Sequence, residues 1–323
     1  MKEFVIVTDT TTDLPREYVE KHHLYMMSLP YTLEGTSYTW ENPMPVKEFY
    51  DKMRAGSLPT TSQANPEEAA TLYESILKEN DVDILHIAFS SGLSGSFNSC
   101  RIAAADVCEK YPDRRIVVVD SLAATLGQGL LVYKAVQLKE AGKNLDEIAV
   151  WLEENKYHLV HNFTVDDLFH LHRGGRLSKT AAIVGTMINL KPVLHVDDEG
   201  HLVMLSKVRG RKKSLIGLVD CMEKQLGDWK DKNDIIFISH GDCEEDAQYV
   251  AKLVREKFGY ECARCTTKST RQKCLVLFLL FFQKVKRLPP EGHSQSGSLF
   301  LFVAPSCRHR PSEPASHGAS GYF

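Results

Sequence analysis

The sequence predicts an α/β protein of two domains, a mainly parallel sheet flanked by helices followed by a smaller second α/β domain. Three observations predict it. Short apolar runs alternate with longer amphipathic stretches between residues 5 and 257, the strand–helix rhythm of parallel βα units. The chain of 323 residues, 43% hydrophobic and 25% charged, is long enough for two ordinary globular cores. A hairpin pattern interrupts the rhythm in the segment that begins near residue 162.

The apolar runs at residues 5–8 (VIVT), 84–88 (ILHIA), 116–119 (IVVV) and 235–238 (IIFI) read as buried strands. Residues 66–78, 96–110, 126–140 and 145–154 carry helical patterns between them. From residue 162 the pattern predicts a helix over 166–172, a turn at 173–176 and a helix over 178–188. A hairpin follows, with strands at 192–196 and 202–208. Its turn ends in DEG at 198–200, where Gly200 is free to take positive φ. A helix over 212–226 and a strand–helix unit over 235–257 complete the series. The expected domains are therefore 1–161 and 162–261.

Residues 262–323 are a separate problem. They hold nine Lys/Arg and two Asp/Glu, in a chain whose net charge is −3. The apolar run CLVLFLLFF at 274–282 is shorter than the ~20 residues that span a bilayer. The last dozen residues, rich in Ser, Pro, Gly and His, read as disordered. The tail is thus expected to be an atypical basic segment, disordered or out of frame with the ancestral fold.

Composition excludes several functions. A net charge of −3 argues against a nucleic-acid binder. The opening MKEFVIVTDT lacks the apolar core of a signal peptide, so a cytoplasmic protein without stable membrane insertion is expected. Of the eight cysteines, Cys100, Cys108, Cys221 and Cys243 are scattered and show no metal or disulfide spacing. GxxxxGK[ST], GxGxxG and GxSxG are absent. No cofactor, metal or covalent chemistry is expected.

Four loops remain as candidates. TTSQ at 60–63 brings hydroxyls directly before a helix that opens with Pro66; Ser62 or Asn65 caps that helix, or the hydroxyls meet a ligand. SSGLSGS at 90–96 joins a strand end to a helix N-terminus, where backbone N–H groups and serine hydroxyls suit a carboxylate or phosphate. DTTTDLP at 9–15 either caps the next helix or reaches the same cleft. The basic segments at 170–179 and 207–213 suit contact with something anionic. His240 and Asp242, close in sequence at a strand end, form an acid–base pair or simply close a turn.

Taken in order, these segments resemble the DegV family of fatty-acid-binding proteins, of the FakB type. DTTTDLP is similar to the family's DSTxDLP, TSQ at 61–63 to its TSQ, and SSGLSGS to its SSGLSGT. DS at 120–121 with GQG at 127–129, VDDL at 165–168, RGGR at 173–176 and KVRGRKK at 207–213 complete the set, over residues 3–261. The resemblance implies a two-domain fold with a long-chain fatty acid in a buried tunnel between the domains. It implies that Thr61, Ser62 and Ser94 hold the carboxylate. A separate ATP-dependent fatty-acid kinase would phosphorylate that carboxylate, and acyltransferases of phospholipid synthesis would use the acyl phosphate. Arg173, Arg209 and Arg211 would dock the kinase.

One departure concerns the end of the chain. Family members close with a segment like GAHSGPGTxALFF, whose His joins the head-group network. GHSQSGSLFLF at 292–302 resembles it loosely and would put His293 in that role. Two other readings compete. One is an enzyme or sensor that binds a small phosphorylated metabolite at the serine-rich loop. The other is a regulatory protein acting through the basic 173–179 surface.

Overall fold

The computed structural model describes residues 2–166, 168–177, 190–266 and 277–282. The first half runs β1 (Phe4–Asp9), α1 (Arg16–Lys21), β2 (Tyr25–Met27), β3 (Tyr31–Leu33), β4 (Thr36–Tyr38), α2 (Val46–Arg54), β5 (Thr60–Thr61) and α3 (Pro66–Glu79). It continues through β6 (Asp83–Ala88), α4 (Ser96–Lys110), β7 (Ile116–Asp120), α5 (Thr125–Glu140) and α6 (Leu145–Asn155). The second half runs β8 (Leu159–Thr164), α7 (Leu168–Arg173), β9 (Leu190–Val196), β10 (Leu202–Arg209) and α8 (Arg211–Leu226). It ends with β11 (Ile236–His240), α9 (Glu244–Phe258), β12 (Cys262–Thr266) and β13 (Leu277–Phe282).

Three of the predicted strands, β1, β6 and β7, form the expected parallel sheet with β2, in the order β2-β1-β6-β7, whereas the fourth, at 235–238, falls in β11 of a second sheet. Every residue of β6 is buried, as a parallel strand covered on both faces must be. Its continuous apolar run ILHIA follows from that burial. Helices start where their sequences can cap them. Asn65 accepts from Glu68 N–H at 2.8 Å and the Glu68 carboxylate accepts from Asn65 N–H at 3.1 Å, a capping box that fixes the start of α3. Asn144 and Glu147 repeat the device at α6. Asn65, rather than Ser62, is therefore the cap of α3.

The second sheet has the order β10-β9-β8-β13-β11-β12 and is antiparallel at every pairing except β11–β12. With six strands it is wider than the parallel sheet. The difference lies partly in the tail. Residues 262–266 and 277–282, read from sequence as outside the fold, pair as β12 and β13, and β13 fills the centre between β8 and β11. The expected boundary after residue 161 also falls inside β8. The predicted helix over 178–188 and most of the tail lie outside the described residues.

Helix α5 lies between the two halves. It packs against β6 on one side and β8, β11 and β13 on the other. Ten of its residues are buried, including Gln128 and two glycines. One apolar core runs from the first sheet through α5 to Phe163, Leu194, Phe237 and Phe282. A second core beneath α8 and α9 holds Leu218, Met222, Ile238 and Phe281. A small third core (Tyr31, Leu33, Met44, Phe49, Tyr50 and Met53) holds α2 against the sheet β4-β3-β5. No helix among the described residues is long and apolar enough to cross a membrane.

Candidate ligand-binding site

The site is assembled from two loops at the carboxyl edge of the parallel sheet. The first leaves the small sheet. Thr61 pairs with Tyr31 in the β3–β5 ladder, and Ser62 N–H donates to Pro30 C=O at 3.0 Å. This holds Thr61 and Ser62 in extended backbone just before α3. Thr61 is half-buried and Ser62 is exposed. The second loop, residues 90–95, leaves β6. Leu93 and Ser94 both return N–H bonds to Ser90 C=O, at 3.1 Å each, and α4 then begins after Gly95, which has no side chain with which to cap it.

The structure ties these loops together. Ala64 N–H donates to Ser96 Oγ at 3.1 Å, and Ser96 Oγ lies 2.9 Å from Ser94 Oγ. A β-carbon on Gly95 would sit 2.5 Å from Gln63 Oε1, so the Gln63 amide rests on that glycine and any larger residue would push it off. Ser94 is half-buried, whereas Ser96 is fully buried. The backbone that follows Thr61 and Ser62 is thus bonded to the serine loop beside the positive end of α4. Ser96 and Gln63 were not singled out in the sequence, because their partners lie on the other loop.

The second half of the chain closes over the serine loop. Ser90 Oγ donates to Gly200 C=O at 2.9 Å, in the turn of the β9–β10 hairpin. Gly200 has φ 78°, as its place in that turn requires. A β-carbon on Gly92 would come within 2.6 Å of Glu199 C=O, so this approach needs glycine at 92. Arg176 Nε donates to Leu93 C=O at 3.3 Å. The serine loop is therefore held from the N-terminal side by residues 63–64 and from the C-terminal side by residues 176 and 199–200.

Beneath the rim lies a buried polar network. His86 Nε2 is 3.1 Å from Asp9 Oδ1 and His86 Nδ1 is 2.6 Å from Tyr73 Oη. Asp9 Oδ2 also accepts from Phe89 N–H at 2.5 Å and from Gln128 Nε2 at 3.1 Å. Burial alone would depress the His86 pKa. The neighbouring Cys100 sulfur and the Asp9 carboxylate outweigh it and raise the value to about 10. His86 thus bridges Asp9 and Tyr73, joining β1, β6 and α3 directly under the loop. The opposite case is His161 of β8, whose pKa burial lowers to about 3, helped by nearby His195.

Other expected residues land elsewhere. Thr10, Thr11 and Thr12 all use their hydroxyls internally: Thr10 accepts from Leu29 N–H, Thr11 donates to Gln128 and Thr12 donates to Asp9 C=O. The N-cap of α1 is Pro15, without a side-chain cap bond. The 9–15 loop therefore neither caps that helix nor extends its threonine hydroxyls into the cleft. His240 Nδ1 accepts from Cys243 N–H and its Nε2 faces Glu244 at 2.6 Å, while Asp242 pairs with Arg54. With separate partners, His240 and Asp242 close a turn and are not an acid–base pair.

Arg173 and Arg209 are exposed. Arg211, expected beside them as a docking residue, is instead engaged inside the fold. Its Nε lies 2.7 Å from Asp246 Oδ2 and it also contacts Cys243, tying α8 to α9. The reason is its place as the first residue of α8, next to the acidic first turn of α9. His293 lies outside the described residues.

Comparison with known proteins follows the same lines. A model of a family described as an uncharacterised protein of the DegV family matches residues 3–270. A DegV domain-containing protein from Clostridium perfringens is 46% identical over 260 residues, which cover 80% of this chain and 88% of that protein. A fatty-acid-binding DegV family protein from Thermus thermophilus superposes with TM-score 0.76 at 28% identity, covering 88% of this chain and all of that one. DegV from Bacillus subtilis, described as a fatty acid binding protein, gives TM-score 0.74 at 29% identity, over 88% of this chain and all of that structure.

Proposed function

The chain belongs to the DegV family, and from that premise we propose that it is a carrier of one long-chain fatty acid. Thr61, Ser62 and Ser94 hold the carboxylate, and the acyl chain lies buried between the two halves. The observation that carries this reading is the link Ala64–Ser96–Ser94, which brings two hydroxyl-bearing loops to one rim. Fatty-acid binding by the related structures supports it. Burying ~14 methylenes at ~0.8 kcal/mol each contributes on the order of 10 kcal/mol before the costs of association.

The carrier does no covalent chemistry of its own. It presents the carboxylate to a separate ATP-dependent fatty-acid kinase. A carboxylate oxygen attacks the γ-phosphorus, the new O–P bond forms as the β–γ bridge breaks, and ADP leaves. The acyl phosphate then passes to acyltransferases of phospholipid synthesis. Neutral hydroxyl donors suit this role, because a bidentate arginine would hold the oxygen electrons that must attack. Arg173 and Arg209 supply the docking charge.

Native mass spectrometry of protein purified from bacteria tests the reading. One long-chain fatty acid is expected per chain. A clean apo mass that takes up neither oleate nor palmitate overturns it. If sugar phosphates stabilise the chain in a thermal-shift screen while fatty acids do not, it is instead an enzyme or sensor for a phosphorylated metabolite.

A further inference from the structure

We infer that Ser96 is a positioning residue that sets the hydrogen-bond polarity of the head-group site, so that Ser94 meets the ligand as a donor. The inference rests on the fatty-acid reading and concerns a residue that never touches the ligand. It follows from where each proton in the loop can go. Ser96 Oγ is fully buried and accepts the Ala64 N–H at 3.1 Å. Its own single proton must also be used, because a buried hydroxyl left without an acceptor is costly. Ser94 Oγ, at 2.9 Å, is the acceptor the structure provides.

The alternative polarity has Ser94 donating to Ser96. Ser96 would then accept two bonds and bury an unused proton. Ser94 is half-buried at the rim, so its own proton can be satisfied from the cleft and the Ser96 proton cannot. The bond therefore runs from Ser96 to Ser94. Ser94 Oγ accepts a second time from Ser96 N–H, at 3.3 Å. With its acceptor capacity taken up, Ser94 keeps one proton, directed away from Ser96. Donors in such a chain polarise one another, which strengthens the bond Ser94 gives. A site built this way favours a group with only lone pairs to offer, a carboxylate, over a head group that must itself donate. Because the same oxygen holds Ala64 N–H, the polarity of Ser94 and the placement of Thr61 and Ser62 are coupled through one atom.

The test is a double-mutant cycle on the full chain. Oleate affinity is measured for the wild type, Ser94→Ala, Ser96→Ala, Ser96→Thr and the double variant Ser94→Ala/Ser96→Ala, with thermal melting of the ligand-free proteins alongside. Ser96→Ala is expected to weaken oleate binding about tenfold, the scale of one hydrogen bond to a charged group. In the Ser94→Ala background the same change is expected to cost less than in the wild type, since the Ser94 partner is gone and only the Ala64 bond remains to be lost. Ser96→Thr keeps the hydroxyl and restores binding. If Ser96→Ala does not fold, Ser96→Cys, of similar volume but a weak donor, takes its place in the cycle. Equal penalties in both backgrounds, wild-type affinity in Ser96→Ala, or no rescue by threonine each overturn the inference while the fatty-acid reading stands. A wild type that binds no oleate removes both.

Discussion

Ser94 offers a single proton to the ligand, so Ser94→Ala is expected to weaken fatty-acid binding by about 1.5–3 kcal/mol and, because it leaves the buried Ser96 proton without its acceptor, to lower the melting temperature of the ligand-free chain by a few °C. Isothermal titration with oleate and a thermal melt check the two halves of that statement. The buried histidines make a separate expectation, about pH. His86 has a folded pKa of about 10, above the ordinary ~6.5 of an unfolded chain. Its contribution is complete below pH ~6.5 and is lost as pH rises toward 10. His161 has a folded value of about 3, so the unfolded chain takes up a proton that the fold refuses. Stability from that residue is lost as pH falls from ~6.5 toward 3. Urea midpoints are expected to peak near pH 6.5. His86→Gln is expected to cost about 3–5 kcal/mol at neutral pH and to flatten the alkaline side of the profile relative to wild type. At this scale the sequence displayed the rim hydroxyls, because serine and glycine clusters stand out in a strand–helix loop. It concealed Asp9, His86 and Tyr73, because their meeting depends on β1 and β6 being neighbours.

Elements were legible where their residues face a single environment. The strands β1, β6, β7 and β11 are mostly apolar, and α3 and α6 begin with the Asn and Glu pairs of a capping box. Strand β8 was not read because its buried face includes His161, Asn162 and Thr164, which break the apolar pattern. Helix α2 carries its own signal, because Phe49, Tyr50 and Met53 stand at helical spacing over a core of their own. Strand β13 was visible only as an apolar run without a place. Its role in the sheet yields a firm expectation. Phe281 is fully buried, and Phe282 N–H and C=O are both bonded by the Asn233 side chain, at 2.7 and 2.9 Å. Phe281→Ala is expected to cost about 3–5 kcal/mol in urea unfolding. A chain ended after Glu261 is expected to lose cooperative unfolding of its second half, seen as rapid proteolysis beyond α6. A truncated chain that unfolds in one step at the wild-type midpoint would contradict the placement of β13.

At the scale of the whole molecule, the two halves meet over the serine loop and along α5, and the exposed arginines lie on the second half. Charge reversal at Arg173 and Arg209 together is expected to reduce acyl-phosphate formation by a partner kinase at least tenfold, with oleate retention unchanged. Raising the ionic strength is expected to weaken the wild-type reaction in the same direction, since exposed charges are screened. Loss of oleate from the double variant would place these arginines in the carrier's own stability instead. The order in which the chain is made adds a last constraint. A ribosome releases β8 and β11 before the strand that separates them. Until residue 282 emerges, a nascent molecule therefore carries two open seams with unpaired backbone and exposed apolar surface, the state most prone to sticking to its neighbours. The final described strand acts as a zip fastener, and translation that stops short of it leaves a polypeptide whose first half is complete and whose second half is a target for chaperones and proteases.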